Sequence, residues 1–98
     1  MRKLLLIRRI IGDSMVPTLN EHNIVIGSGL FTNLVENDLV LFHHEGLDKI
    51  KRISKIGDNK IFVVGDNNQS SRDSRVFGWI PLSSVQAKII WPRASTSV

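Results

Sequence analysis

The sequence predicts a mainly β fold, arranged as a small, antiparallel, barrel-like domain. Its apolar runs are short and rich in valine, isoleucine and phenylalanine, residues that favour strands. Glycine, asparagine and aspartate separate these runs at close spacing, as turns between antiparallel strands do. The chain has 98 residues, enough for one domain with a real core and too few for two.

The predicted strands are, in chain order, residues 4–11, 24–26, 39–42, 47–56, 61–64 and 85–91. The first is a leucine- and isoleucine-rich run that stops at a Gly-Asp pair, and the second is a β-branched triplet that ends at 27–29. The third is continuously apolar, which is typical of a strand buried on both faces.

The second half of the chain carries clearer turn signals. The Gly-Asp-Asn-Lys sequence at 57–60 is typical of a tight hairpin connection. Residues 65–75 are polar and predict a loop, whereas residues 30–37 fit either a loop or one helical turn. We expect a single domain over 1–98, with frayed ends at 1–3 and 92–98.

Composition excludes several kinds of site. The chain has no cysteine, so it has no disulfide, no thiolate metal site and no cysteine nucleophile. Its formal charge is +4, but the basic residues are spread along the chain and the aromatic residues are not interleaved with them. We therefore expect a generally basic surface and no nucleic-acid partner.

The apolar run at the N-terminus is too short to span a membrane. It is interrupted by Arg8 and Arg9, whereas a span needs about 20 apolar residues, and no signal-peptide cleavage site follows. We expect a soluble, cytoplasmic protein without a transmembrane segment. A weak peripheral membrane contact through Leu4, Leu5 and the two arginines is the alternative.

Residues 12–19, with the sequence Gly-Asp-Ser-Met-Val-Pro-Thr-Leu, single out Ser14. Pro17 fixes its own φ and favours extended geometry at Val16, so this segment cannot be regular helix. Ser14 is therefore expected on a rigid corner. Its hydroxyl either bonds its own backbone or, if a base is near, acts as a nucleophile.

A base for this serine has to come from elsewhere in the chain. Polar surface turns are expected for the three histidines, His22, His43 and His44. Lys51 lies in an apolar strand, where burial would lower its pKa and leave the amine neutral. Lys49 shares that face of the strand and is the competing base. A lysine with its ammonium group in water is the structural alternative.

Four stretches resemble, in order, the successive motifs of the type I signal peptidase family. They are residues 12–19, Ile50-Lys51-Arg52-Ile53 leading to Gly57-Asp58, the Gly-Asp-Asn loop at 65–75, and Gly78-Trp79-Ile80-Pro81. Several motifs in the right order are far more specific than one. The resemblance implies a β-rich signal-peptidase catalytic core, most like the short soluble proteases that mature nickel-type superoxide dismutase.

The resemblance also implies a role for each matching residue. Ser14 is the nucleophile, Lys51 is the general base, and the hydroxyl of Ser71 bonds and orients the lysine amine. Asp73 and Arg75 form a charged pair that supports the site.

Three residues beside the nucleophile complete the implied site. Some members of the family carry a serine or threonine where this chain has Gly12, and its hydroxyl helps to bind the oxyanion. Here the oxyanion hole is expected to rest on backbone N–H groups, notably that of Ser14. Gly12 and Asp13 are expected to contribute to oxyanion or substrate binding, and Met15 to pack beside the site.

The implied function is a serine endopeptidase that removes a short N-terminal leader from a precursor, with nickel-type superoxide dismutase as the expected substrate. The precursor is expected to lie extended beside strand 4–11. No cofactor or metal is expected in this chain, and nickel would belong to the substrate. Signal peptidases carry N-terminal membrane anchors, and many have an extra β domain before the Gly-Asp-Asn loop. We expect both to be missing here.

Three alternatives remain. One is a membrane-associated leader peptidase, and another is a self-cleaving repressor-type relative, for which 98 residues leave no room for a DNA-binding domain. The third is a non-catalytic β module that binds extended peptides. The combination of Ser14, Lys51 and Ser71 argues against that module, because peptide binding requires no such set.

Overall fold

The computed structural model describes residues 4–93. The predicted fraying of 1–3 and of 94–98 lies outside the described residues, and Pro92 and Arg93 belong to no strand or helix. Within the described range, no helix is long and apolar enough to cross a membrane.

Seven strands form most of the regular structure of residues 4–93. They are β1 (Leu5–Arg9), β2 (Ile24–Ser28), β3 (Leu39–His44), β4 (Leu47–Gly57), β5 (Lys60–Val64), β6 (Ile80–Pro81) and β7 (Val85–Trp91). The prediction of a mainly β fold is confirmed. The bounds of β7 agree with the predicted 85–91, and the other predicted strands agree to within a few residues.

The strands form one sheet in the order β1-β2-β7-β3-β4-β5-β6, and every neighbouring pair is antiparallel. Register shifts interrupt the ladders β2·β7, β3·β7 and β4·β5. Such irregularities bend and twist a sheet. Strand β1 pairs only with β2 among the described strands, so one side of β1 is an edge.

The central strand β3 separates two apolar clusters. Its residues Leu39 and Leu41 belong to one cluster, and Val40 and Phe42 belong to the other. All four are at most 2% exposed, so the predicted buried strand is confirmed. The alternation follows from the two-residue period of a strand. The first cluster also contains Met15, which ties the segment around Ser14 to the core.

Two local predictions were wrong. The predicted polar loop 65–75 ends in a short helix, α1 (Ser74–Phe77), because the side chain of Asp73 caps it by accepting a hydrogen bond from the Arg75 N–H. His43 and His44 lie in β3 instead of a turn, since the strand continues past its apolar part to a turn at Glu45. Residues 30–37 contain no helix.

The aromatic residues lie closer to basic residues than the sequence spacing indicates. The Phe62 and Trp79 rings meet edge to face at 5.5 Å, with Lys55 over the first ring and Lys60 over the second. Trp79 is far from both lysines along the chain. Only the pairing of β4, β5 and β6 brings these residues together.

Candidate active site

A cleft of about 480 Å³ lies between the end of β1, the segment that carries Ser14, and the β3–β4 hairpin. Ser14 and Lys51 both line it, although they are 37 positions apart in the chain. Met15, Leu41 and Ile50 form an apolar part of its wall. The fold therefore brings the predicted nucleophile and the predicted base to one cavity.

The Ser14 segment is fixed by its neighbours on both sides. Met15 is 2% exposed and Leu19 is fully buried, so two apolar side chains anchor the segment in the core. Burial of each stabilises the fold by about 2 kcal/mol. The peptide bond between Val16 and Pro17 is cis, and Leu19 N–H donates to the Met15 carbonyl at 2.9 Å.

Hydrogen bonds join this segment to the 65–75 loop. The backbone N–H of Asn67 donates to the Ser14 carbonyl at 2.8 Å, and its side-chain amide donates to the Asp13 carbonyl at 3.1 Å. The Ser70 hydroxyl donates to the Asp13 carboxylate at 2.8 Å. Two stretches that are more than 50 residues apart are thus held together beside the cleft.

Gly65 permits the close approach of the two stretches. A Cβ at this position would lie 2.1 Å from the Ser71 hydroxyl oxygen and 2.7 Å from the Ser14 carbonyl oxygen. Both distances are below contact. Only glycine therefore lets the backbone of Ser14 and the side chain of Ser71 pack against the end of β5.

Lys51 is the buried lysine of this site. It lies in β4 opposite Val40, and 6% of it is exposed. Burial lowers its pKa, and the positive charges of Lys49 and Arg75 lower it further, whereas the Asp73 carboxylate raises it. The net effect is a pKa below the usual value, because no carboxylate among residues 4–93 forms an ion pair with this amine.

Lys49, the competing base, has a different environment. Its amine lies 3.3 Å from the Glu45 carboxylate, 3.3 Å from Nδ1 of His44 and 4.9 Å from the centre of the Phe77 ring. The Lys49 amine is therefore engaged by side chains of the β3–β4 hairpin. No carboxylate among residues 4–93 forms an ion pair with the Lys51 amine.

Asp73 is the centre of a buried polar cluster. It is fully buried, and it accepts hydrogen bonds from the Gly65 N–H at 2.7 Å, the Ser71 hydroxyl at 2.8 Å and the Arg75 side chain at 2.5 and 3.0 Å. Burial raises its pKa, but these donors outweigh burial and hold the pKa well below the usual range. The pairing of Asp73 with Arg75 is therefore present, and it anchors the loop that carries Ser71.

The hydroxyl of Ser71 donates to Asp73, and no hydrogen bond within the described residues joins it to Lys51. None joins the Ser14 hydroxyl to the Lys51 amine either. Donation to Asp73 leaves the lone pairs of the Ser71 oxygen available to accept from an amine. Hydrogen bonds at catalytic sites are often long before substrate binds.

The residues beside Ser14 differ in which of their polar groups are already hydrogen-bonded. Gly12 has a φ of +85°, and its N–H donates to the Glu21 carboxylate at 3.0 Å, so that N–H is already engaged. The carboxylate of Asp13 bonds Ser70, and Met15 is a core residue. No described residue accepts a hydrogen bond from the Ser14 N–H.

Comparison with known proteins places the chain in a family. The family described as signal peptidase, peptidase S26, matches residues 44–93, half of the chain. The chain belongs to this family. It is also similar to the Signal peptidase I of Aquifex aeolicus (strain VF5), with 32% identity over 60 residues. That similarity covers 61% of this chain and 23% of the relative, so the chain spans only part of that protein's length.

The S26 match confirms the resemblance to signal peptidases but covers only part of the site. It includes Lys51, Ser71, Asp73 and Arg75, and it begins after Ser14. The place of Ser14 in the site rests on its motif and on its position in the cleft.

A second network of this S26 domain was missed by the sequence analysis. Arg52 binds Asp66 through two hydrogen bonds of 2.9 and 2.8 Å, and Thr18 donates to the same carboxylate. Burial raises the pKa of Asp66, but its bonds to Arg52 and Thr18 lower it overall. The network ties the strand of Lys51 to the segment of Ser14. The motifs quoted above contain Thr18, Arg52 and Asp66. Their place in the motifs was the sequence signal that could have pointed to this network.

Proposed function

We propose that this chain is a serine endopeptidase in which Ser14 is the nucleophile and Lys51 is the general base. One observation carries the proposal: both residues line the same cleft, and the lysine is buried without a carboxylate partner among residues 4–93. A neutral amine can accept a proton, whereas an ordinary surface lysine cannot do so at neutral pH.

The reaction follows acyl-transfer chemistry. Ser14 Oγ attacks the scissile carbonyl carbon as its proton passes to the Lys51 amine, and the oxyanion accepts a hydrogen bond from the Ser14 N–H. The tetrahedral intermediate collapses as the lysine ammonium group donates its proton to the leaving amine. Water, deprotonated by Lys51, then hydrolyses the acyl-enzyme and releases Ser14.

Three further residues position the lysine. The Ser71 oxygen, held by Asp73, accepts a hydrogen bond from the Lys51 amine when substrate closes the site. The negative charge of Asp73 also raises the pKa of Lys51, whereas the positive charge of Arg75 lowers it. The amine is thereby kept basic enough to accept a proton and low enough in pKa to be neutral.

The substrate is a precursor protein with a short N-terminal leader. The unpaired edge of β1 can accept an extended peptide as an added strand, and β1 leads directly towards Ser14. The resemblance to proteases of nickel-type superoxide dismutase makes the precursor of that enzyme the specific candidate.

The test is cleavage of that precursor by the purified chain, with the new N-terminus identified by mass spectrometry. We expect one cut at the end of the leader, and none with Ser14→Ala. An uncut nickel superoxide dismutase precursor, with other leader-bearing precursors cleaved, would reject the specific substrate alone. Peptide binding without any cleavage would favour a non-catalytic β module.

A membrane-surface leader peptidase is the second candidate, because apolar side chains near β1 are exposed. Leu4, Leu5, Ile7 and Ile11 are 64%, 56%, 65% and 86% exposed, and they flank Arg8 and Arg9. Such a surface suits the interface of an anionic bilayer. Co-sedimentation with phosphatidylserine-containing vesicles that high salt abolishes would support this candidate, and no sedimentation at low salt would reject it.

A further inference from the structure

We infer that the cleft selects peptide substrates that carry an acidic side chain, and that Arg9 is the residue that binds this side chain. The inference rests on the proposed function, since it concerns the same cleft. It adds a charge preference for the substrate to that proposal.

The cleft is rich in positive charge. Five basic side chains and two acidic side chains line it: Arg8, Arg9, Lys49, Lys51 and Arg72, with Glu45 and Asp48. Even without the Lys51 amine, four basic side chains face two acidic ones. A concave site with such an excess attracts an anionic ligand.

Both acidic side chains already have basic partners. Glu45 binds Arg72 at 3.2 Å and Lys49 at 3.3 Å, and these bonds lower its pKa. Asp48 lies 2.9 Å from His43 and 3.9 Å from Arg8. The two carboxylates of the cleft are therefore engaged by Arg8, Lys49 and Arg72.

Arg9 is a basic side chain of the cleft that takes part in none of these ion pairs. No carboxylate of residues 4–93 lies within ion-pair distance of its guanidinium group, and the residue is exposed. It is the last residue of β1 and precedes Ser14 by five positions. An extended peptide beside the edge of β1 has to pass Arg9 before it reaches the nucleophile. A glutamate or aspartate at that point gains a charge-assisted hydrogen bond.

A solvated arginine without a role in binding is the competing explanation. It predicts no difference between an acidic peptide and its uncharged counterpart. An exposed ion pair changes the dissociation constant by about two- to fivefold, a difference that a binding titration can resolve.

The experiment uses labelled ten-residue alanine- and serine-rich peptides in which one glutamate, or the isosteric glutamine, occupies each position in turn. Binding to the Ser14→Ala variant is measured by fluorescence anisotropy, so that the result does not depend on turnover. We expect one glutamate position to bind about two- to fivefold tighter than glutamine, and this gain to shrink as salt is added. Arg9→Gln should remove the gain, and Arg9→Glu should reverse it in favour of a lysine peptide.

Lys60→Gln is the matched control, because it removes the same charge from a lysine that lies over Trp79 and does not line the cleft. It should keep the glutamate preference. Equal binding of glutamate and glutamine peptides at every position, or a preference that survives Arg9→Gln, would overturn the inference. Either result would leave the proposed peptidase activity intact, since cleavage by the unmodified chain is measured separately.

Discussion

The substitution Asp73→Asn tests whether the buried carboxylate holds the site together. Asp73 is fully buried and accepts hydrogen bonds from Gly65, Ser71 and Arg75. Asparagine keeps the shape, removes the charge and places an NH₂ group against one of these donors. Breaking a buried ion pair costs about 3–5 kcal/mol.

We expect the free energy of unfolding to fall by about 3 kcal/mol, near the lower end of this range. The Arg75 side chain is 40% exposed, so water solvates part of its charge once the carboxylate is gone. In a domain of this size, that loss lowers Tm by about 15 °C. The assay is thermal unfolding followed by circular dichroism. Asp58→Asn, in the exposed β4–β5 turn, is the matched control, and it should change Tm by about 3 °C or less.

The stability of the unmodified chain should also depend on acid through Asp73. The folded pKa of this group lies below its unfolded value, so its contribution is fully present above the unfolded pKa of about 3.9. The contribution falls as the pH drops below that value, and Asp73→Asn should show a weaker acid dependence. A Tm for Asp73→Asn within 3 °C of Asp58→Asn would refute this reasoning.

Three further predictions concern the lysine and the glycine of the site. Lys51→Met should abolish cleavage, and it should raise Tm at pH 7 because it removes an amine whose charged form burial disfavours. Lys49→Met should keep cleavage. Full activity of Lys51→Met would reject Lys51 as the general base. The free energy of unfolding of the unmodified chain should rise with pH between the lowered Lys51 pKa and about 10.4, because the unfolded state binds more protons in that window. Lys51→Met should lack this rise in denaturant titrations. Gly65→Ala should lose more stability than the roughly 1 kcal/mol expected for Gly46→Ala, because its Cβ would overlap Ser71; equal losses in urea titrations would contradict the close packing.

The sequence predicted the strands well where local signals agree. Residues 85–91 combine β-branched residues with a turn before them and a proline after them, and β7 has those bounds. The buried strand 39–42 was recognised because its apolar run has no polar break. It extends to His44, because pairing with β4 continues beyond the apolar part.

The cap of helix α1 is a local contact that the sequence analysis missed, because Asp73 was assigned only to an ion pair with Arg75.

Long-range pairings could not be predicted from the sequence. The bond between Arg52 and Asp66 spans 14 positions, and that between Thr18 and Asp66 spans 48. No spacing rule predicts such contacts, since they depend on how the loops pack after the sheet has formed.

The residues of the candidate site come from the sequence motifs, whereas the contacts among them come from the fold. The motifs identified Ser14, Lys51 and Ser71, and the fold places the first two in one cleft and the third beside Gly65. The Ser71 hydroxyl donates to Asp73, a contact that the motifs did not indicate, and its bond with the lysine stays a prediction. The full charge on Asp73 attracts the hydroxyl proton, and the lone pairs of the Ser71 oxygen remain available to an amine donor.

The most direct test of the account is the titration of the Lys51 amine by NMR, with selectively labelled lysine and Lys51→Met to assign the resonance. We expect this amine to lose its proton below the usual lysine pKa of about 10.4, and kcat/KM to rise with the same midpoint. A Lys51 pKa of about 10.4 or above, together with a kcat/KM profile whose midpoint lies well below that pH, would contradict this expectation.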